Sequence, residues 1–538
     1  MKVIKKALAL LLLVTAAPVC GLAAPEHVPA PAAQAALDRA KVLEQDKRTD
    51  DALAAFYQAV EADPDFLAAH DGLIQFRDHW KLAVYQQEKP ANLAARLKEM
   101  NQKIDAQYGE WQKRFPNSLG ILYGMAMQLN DREDPKARPY LLKLAERDPA
   151  NAKVYSMLAQ DALRSGDQND AVEYLHKAAA LEPNNPEYAY SYANNVERSK
   201  RQAAIEDVLK RFPNTEIGAK ALYWLGEDEP KDAQRIAYFE RLRMQFPPEK
   251  FQWGAEGMPR LFEAYLRVDP SKAVKLAQDM QPAKASKEWT ARVELAQTFV
   301  EVKGKLVAGK ANEALALLDK LKPERNSGNT AMVVRLKARV MADAGQAQGG
   351  YRILVELQAK APDDETRAAL EAIGKQLQKT PAQVRADIKT AVNAGARPAP
   401  PFDLQQYTSD ETLSLAKLRG KVVLLTFWFP GCGPCRVEFP HFEAVMQHFQ
   451  HNKDVAYIGI NIVRDQDPYV LPLIDKKRYS FTPLKGTEDI TSADKGFNAN
   501  GAPTNFVIDR AGRIVYRDFM IRDAHGELMV QRMVESVL

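Results

Sequence analysis

The sequence predicts a multidomain chain in which an all-α solenoid is followed by an α/β domain. Three observations predict it. From residue 24 to 392 the chain is rich in Ala, Leu, Lys, Glu and Gln, with apolar residues at helical spacing and Pro or Gly only at intervals. Residues 393–401, within "NAGARPAPPFDL", interrupt that pattern with Pro, Ala and Gly. Beyond Phe402 short apolar runs of strand character alternate with amphipathic ones. At 538 residues, 46% hydrophobic and 27% charged, the chain has the composition of a soluble globular protein with room for about two to four domains.

The first element is a leader. Lys2, Lys5 and Lys6 precede an apolar run from Ala7 to Ala17, and Gly21 and Ala23 supply the small residues of a cleavage site, so residues 1–23 are expected to be a signal peptide. The run is too short for a membrane span. Export follows, most simply to a periplasm. The alternative is a lipoprotein acylated at Cys20, against which stand Pro18 and Val19, where such signals resemble one another in carrying small residues. Loss of the three lysines takes the formal charge from +4 to +1, which argues against nucleic acid or an anionic membrane as the main partner. Of three cysteines, Cys20 departs with the leader, so Cys432 and Cys435 are the only thiols of the mature chain. Such a protein is not held together by disulfides, and the pair serves another purpose.

Residues 24–392 are the helical part. "DALAAFYQAVEADP" places Ala52, Phe56, Ala59 and Pro64 at the offsets of Ala171, Leu175, Ala178 and Pro183 in "DAVEYLHKAAALEP". Tyr155, Leu158, Ala159 and Gly166 precede the second copy. Prolines recur at 116, 149, 183, 213 and 247, in steps of 33, 34, 30 and 34 residues, the length of one helix-turn-helix unit. Small Ala residues let paired helices approach, bulky ones fill the next groove, and proline ends the second helix. These units resemble tetratricopeptide repeats, with the signature blurred from Pro270 to Val392. "GKLVAGKA", Gly304 to Ala311, matches the glycines and lysine of a phosphate loop. It lacks the magnesium-binding Ser or Thr and a preceding strand, so it is expected to open a helical unit.

Residues 393–401 are expected to be a linker and 402–538 the α/β domain. "KVVLLTFWF" and "VAYIGINIV" are buried strands, and "TNFVID" and "RIVYRD" flank a turn at "RAG". The cysteines fall where the first strand gives way to a helix, with Gly431, Gly433 and Pro434 forcing the turn. A helix N-terminus favours a thiolate, making Cys432 the expected nucleophile and Cys435, one turn on, the residue that resolves a mixed disulfide. Zinc would want two further ligands. His441 and His448 on the following helix are expected to be solvated, and no metal or cofactor is implied. A purely structural disulfide would close too small a loop to add much stability.

"FWFPGCGPCRVEFP" resembles the thioredoxin-fold motif, and Arg436, Glu438 and Pro440 match the C-x-x-C-[RK]-x-E-x-P run of exported TlpA/ResA-like redoxins. The lead-in "PAPPFDLQQYTSDETLSLAKLRGKVVLL" and "GAPTNFVIDRAGRIVYRD" are similar to that group's N-terminal extension and its cis-proline strand and hairpin. The resemblance covers about residues 398–538. It implies a thioredoxin fold in which Pro503 is a cis-proline and Trp428, Gly433, Pro434, Ala502 and Pro503 shape a substrate groove. Three positions depart from the family pattern. Gly431 stands where relatives carry Trp, Thr426 where thioredoxins keep a buried Asp that moves a proton, and Ala502 where larger residues are usual. Glu438 is expected to be a surface helix residue, although it could place a carboxylate near Cys435.

The expected function is an exported thiol:disulfide oxidoreductase acting on protein thiols and disulfides, in the reducing direction, because the CGPC pair resembles reducing members of the fold. A reductant outside the cytoplasm needs an electron donor, by resemblance a membrane protein. The solenoid is expected to bind peptide or protein ligands. The alternatives are an interaction scaffold whose thioredoxin-like domain only docks and, as a minor reading, a peroxiredoxin-like peroxidase. Peroxidases of that kind present Thr and Pro ahead of a lone cysteine, where this chain has Leu425 and Phe429.

Overall fold

The computed structural model describes residues 27–87, 90–281, 287–321, 329–499 and 501–538. The expected signal peptide and Cys20 lie outside the described residues. Among the described residues no helix is long and apolar enough to cross a membrane.

The chain divides into two units, Met1–Gln128 and Leu129–Leu538. In the first, helices Pro31–Gln45, Thr49–Ala62, Leu67–Gln87 and Pro90–Arg114 follow one another. Ala52, Phe56 and Ala59 are buried, as their spacing requires. His70 is fully buried there, its Nδ1 2.9 Å from the Tyr108 hydroxyl and its Nε2 3.0 Å from the Pro64 carbonyl.

The second unit begins with further helical hairpins. Ala152–Arg164 and Gln168–Leu181 form one. Asn151 caps its first helix by accepting the Val154 N–H, and Gly166 turns the chain at φ +83°. Ala159, Ala162, Ala171 and Leu175 close the space between the two helices. Pro186–Asn195 with Arg198–Arg211 and Glu216–Glu227 with Asp232–Gln245 repeat the arrangement. One apolar cluster runs on through Tyr190, Ile205, Leu222, Phe239, Phe262 and Trp289, so neighbouring hairpins share a core as stacked repeats do. The phosphate-loop look-alike is the last turn of helix Lys287–Val307 and the turn that joins it to helix Ala311–Lys320, with Gly309 at φ +71°.

The stretch expected to be a linker is structured. Helix Pro381–Gly395, started by a capping box between Thr380 and Gln383, runs into it, and Arg397–Pro398 forms strand β1. An edge strand tolerates a proline because its outward N–H is not needed for pairing. Strands β2 (Asp403–Gln405) and β3 (Thr412–Ser414) make a small hairpin. β4 (Val422–Trp428), β5 (Val455–Asn461), β6 (Thr482–Lys485), β7 (Thr504–Ile508) and β8 (Arg513–Arg517) complete the main sheet in the order β1-β8-β7-β4-β5-β6. β4 is central, parallel to β5 and antiparallel to β7, with every residue buried. Its alternation sends Val422, Leu424 and Trp428 into the cluster that holds both cysteines, and Val423, Leu425 and Phe427 into the opposite one.

Within this unit the helical hairpins pack against the α/β domain. The Tyr469 hydroxyl, on helix Asp467–Lys477, donates to Asp161 at 2.5 Å, and Asp161 also accepts Arg138 at 2.6 Å. Lys476 pairs with Asp167, and a Cβ on Gly166 would lie 3.2 Å from Leu473. At a second patch Ala359 and Val392 join the apolar cluster of the α/β domain, and Arg513 donates to Asn393 at 2.6 Å.

Candidate active site

Helix Gly433–His448 starts directly after β4, and Cys432 is its N-cap. Cys432 and Cys435 are joined in a disulfide with Cα atoms 5.3 Å apart. The Cys435 N–H donates to the Cys432 sulfur at 3.1 Å, so a negative charge on that sulfur would meet the positive end of the helix. Cys432 is 3% exposed and Cys435 fully buried. Pro434 is exposed, Gly433 is half-buried, and a Cβ on Gly433 would meet nothing within 4 Å.

The Ala502–Pro503 peptide bond is cis. Pairing of Thr504 with Phe427 brings it to the end of the sheet that carries the cysteines, and Ala502 packs on the cysteine cluster. Trp428 does not line a groove. It is fully buried beneath the cysteines, edge-on to Phe439 and Phe481 with centroids 5.3 and 5.2 Å away, because it occupies an inward position of a strand covered on both faces.

Glu438 is not a surface residue. It is 1% exposed, on the inner face of the cysteine helix one turn beyond Cys435. Its carboxylate accepts Asn505 Nδ2–H at 2.9 Å and the Ile521 N–H at 3.0 Å. Burial raises its pKa above the usual carboxylate range, and these two bonds only partly oppose that. Asn505 sits opposite Thr426 in the β4/β7 register, hence on the same face of the sheet. Thr426 Oγ1 and Asn505 Oδ1 are buried without a partner among the described residues. The buried carboxyl missing at Thr426 is therefore present one layer away, on the helix. Asn505 was the overlooked signal: an amide at an inward position of the apolar run "TNFVID" needs a polar neighbour.

Gly431 leaves no vacant wall. Its N–H donates to Gln466 Oε1 at 2.6 Å, and a Cβ there would lie 2.6 Å from Glu133 Oε2. Gln466 in turn donates to Glu133, which precedes helix Ala137–Arg147. A residue of the helical region thus fills the space beside Cys432, which no local motif announced. His441 is paired rather than solvated, its Nδ1 2.6 Å from Glu527, and His448 lies 3.4 Å from Glu535. Among the described residues no cluster of metal-binding side chains occurs.

A cysteine pair at the N-terminus of the helix that follows a central strand, with a cis-proline at the same end of the sheet, defines a thioredoxin-fold redox domain. The Redoxin family model matches residues 394–525. The chain is 28% identical over 140 residues to the thioredoxin-like protein YneN of Bacillus subtilis, covering 26% of this chain and 76% of that protein. It is 28% identical over 127 residues to thiol-disulfide oxidoreductase ResA of Bacillus subtilis, covering 24% and 68%. With ResA of Geobacillus thermodenitrificans the identity is 32% over 130 residues, covering 23% and 69%. The chain belongs to the TlpA/ResA-like family of thioredoxin-like thiol-disulfide oxidoreductases.

Proposed function

We propose that the protein is an exported oxidoreductase that reduces disulfides in client proteins through Cys432 and Cys435, with the helical hairpins helping to hold the client. The observation that carries this reading is the Cys432–Cys435 bridge at a helix N-terminus, one turn from a buried carboxyl group. Export rests on the basic and apolar leader.

In the reduced protein the Cys432 thiolate attacks one sulfur of the client disulfide. A Cys432–client bond forms, the client bond breaks, and the released client thiolate takes a proton from solvent. Cys435 then gives its proton to the Glu438 carboxylate, and its thiolate attacks the Cys432 sulfur. The internal disulfide forms, and the second client sulfur leaves and is protonated. The client gains two electrons and two protons, and a second dithiol protein must return the pair to its reduced form. Gly433, Pro434, Ala502 and Pro503 border the approach to Cys432.

Trapping tests this scheme. Cys435→Ala is expected to accumulate mixed disulfides with clients, and Cys432→Ser to abolish exchange. Recovery of no mixed disulfide from the Ala variant, or exchange at the wild-type rate in the Ser variant, would sink it.

A further inference from the structure

Beside the cysteines lies a cleft of about 800 Å³ with two origins. One wall is the outer face of the cysteine helix, including Gly433 and Arg436. The other comes from the helical hairpins, including Asn194 and Asn195, and Lys477 and Arg478 close the floor.

Its charge is unbalanced. The cations around it are matched: Arg138 by Asp161, Arg164 by Glu133 at 3.4 Å, and Lys476 by Asp167. Arg436, Lys477 and Arg478 make no ion pair among the described residues. Glu443 is the one acid in the lining, and its carboxyl accepts the Ser480 N–H at 2.7 Å while burial favours its neutral form. Burial and then Arg164 disfavour the charge on Arg436, which Tyr479 and Glu133 oppose only in part; burial and then Arg436 disfavour the charge on Lys477, which Asp167 opposes only in part. Part-buried cations that repel one another are relieved by an incoming anion, and a guanidinium can hold a carboxylate through two parallel bonds.

We propose that this cleft binds an acidic segment of the client protein next to the disulfide being exchanged. Arg436, Lys477 and Arg478 supply the positive charge, and Asn194 and Asn195 supply amides from the helical hairpins. The open space at Gly433 lets that segment continue from the cleft toward Cys432. The inference rests on the oxidoreductase reading and names the client chemistry that reading leaves open. It also gives the helical region a direct part in selection.

The test uses the full chain and three synthetic disulfide peptides identical except for Glu, Gln or Lys on either side of the cystine, with hydroxyethyl disulfide as a substrate that has no flanks. The reduced protein is expected to favour the Glu peptide over the Gln peptide by about tenfold in kcat/KM at low salt, with the gap closing as salt rises. Reversing the floor with Lys477→Glu and Arg478→Glu should move the preference to the Lys peptide. Equal rates on all three peptides, or an order that survives the reversal, would overturn the proposal. Failure to reduce even hydroxyethyl disulfide would instead count against the redox reading. The cleft is then judged by fluorescence anisotropy of a labelled, cysteine-free Glu-rich peptide on the oxidised chain. Binding weakened at least tenfold by the reversal supports it, and no binding, or binding the reversal leaves unchanged, overturns it.

Discussion

The chemistry proposed for Cys435 depends on a carboxyl group that is buried and yet able to take a proton. Glu438 has both properties, because burial raises its pKa while Asn505 and the Ile521 N–H hold it in place. Glu438→Gln is expected to slow resolution of the mixed disulfide about a hundredfold, as loss of a positioned base does. In the wild type, that step should slow as pH falls through the raised Glu438 pKa, and the Gln variant should lose this dependence; stopped-flow alkylation of the intermediate reads both. The sign for stability is set by the same group. Its proton is held more tightly in the folded state, so the stability it contributes is greatest at low pH and is lost as pH rises through the folded pKa. Gly431→Trp would drive an indole into Glu133 and Gln466. It should destabilise the protein by about 1–3 kcal/mol in chemical unfolding. The two cysteines and Pro503 were legible from their motifs. Glu438 was not, because whether a helix position is inward depends on the register of the strand beneath it.

At the scale of elements, the apolar density of β4 and β5 made them readable as buried strands. β6 was missed for the converse reason: four residues, including Pro483, on a sheet edge carry little pattern. The expected linker misled because proline marks edge strands as well as loops. β5 also contains a packing requirement that periodicity does not express. A Cβ on Gly459 would lie 2.6 Å from the Phe481 ring and 2.8 Å from Trp428 Nε1. Gly459→Val is expected to cost about 1–3 kcal/mol or more and to lower the thermal midpoint of the α/β domain. In the first unit, burial holds His70 neutral with its pKa pushed down to about 4. Below the unfolded value near 6.5 the unfolded chain takes up a proton that the folded one does not. Stability is therefore full above that value and declines toward pH 4, by on the order of 3 kcal/mol. Amide protection factors in Leu67–Gln87, corrected for the intrinsic pH dependence of exchange, should fall as pH is lowered through this window in the wild type and lose that pH dependence in His70→Gln.

For the molecule as a whole, the proline spacing made the helical array legible, while its packing against the redox domain was not, since the contacts of Asp161 and Asp167 join residues more than three hundred positions apart and that of Asn393 one 120 positions away. Asp161 is central to them because Tyr469 and Arg138 both donate to it. Asp161→Ala leaves both donors without their acceptor, at a cost on the order of 3 kcal/mol. Hydrogen exchange in helix Asp467–Lys477 should report the loss. The central claim, that Cys432 and Cys435 form a working dithiol rather than a staple, is tested most directly by the reduction potential of the pair in the full-length protein. Equilibration in defined thiol buffers, followed by counting alkylated cysteines, should give a single two-electron transition near the thioredoxin value of about −270 mV. A pair that stays oxidised across the whole accessible range, or one that titrates near −120 mV as a strong oxidant does, would contradict the account.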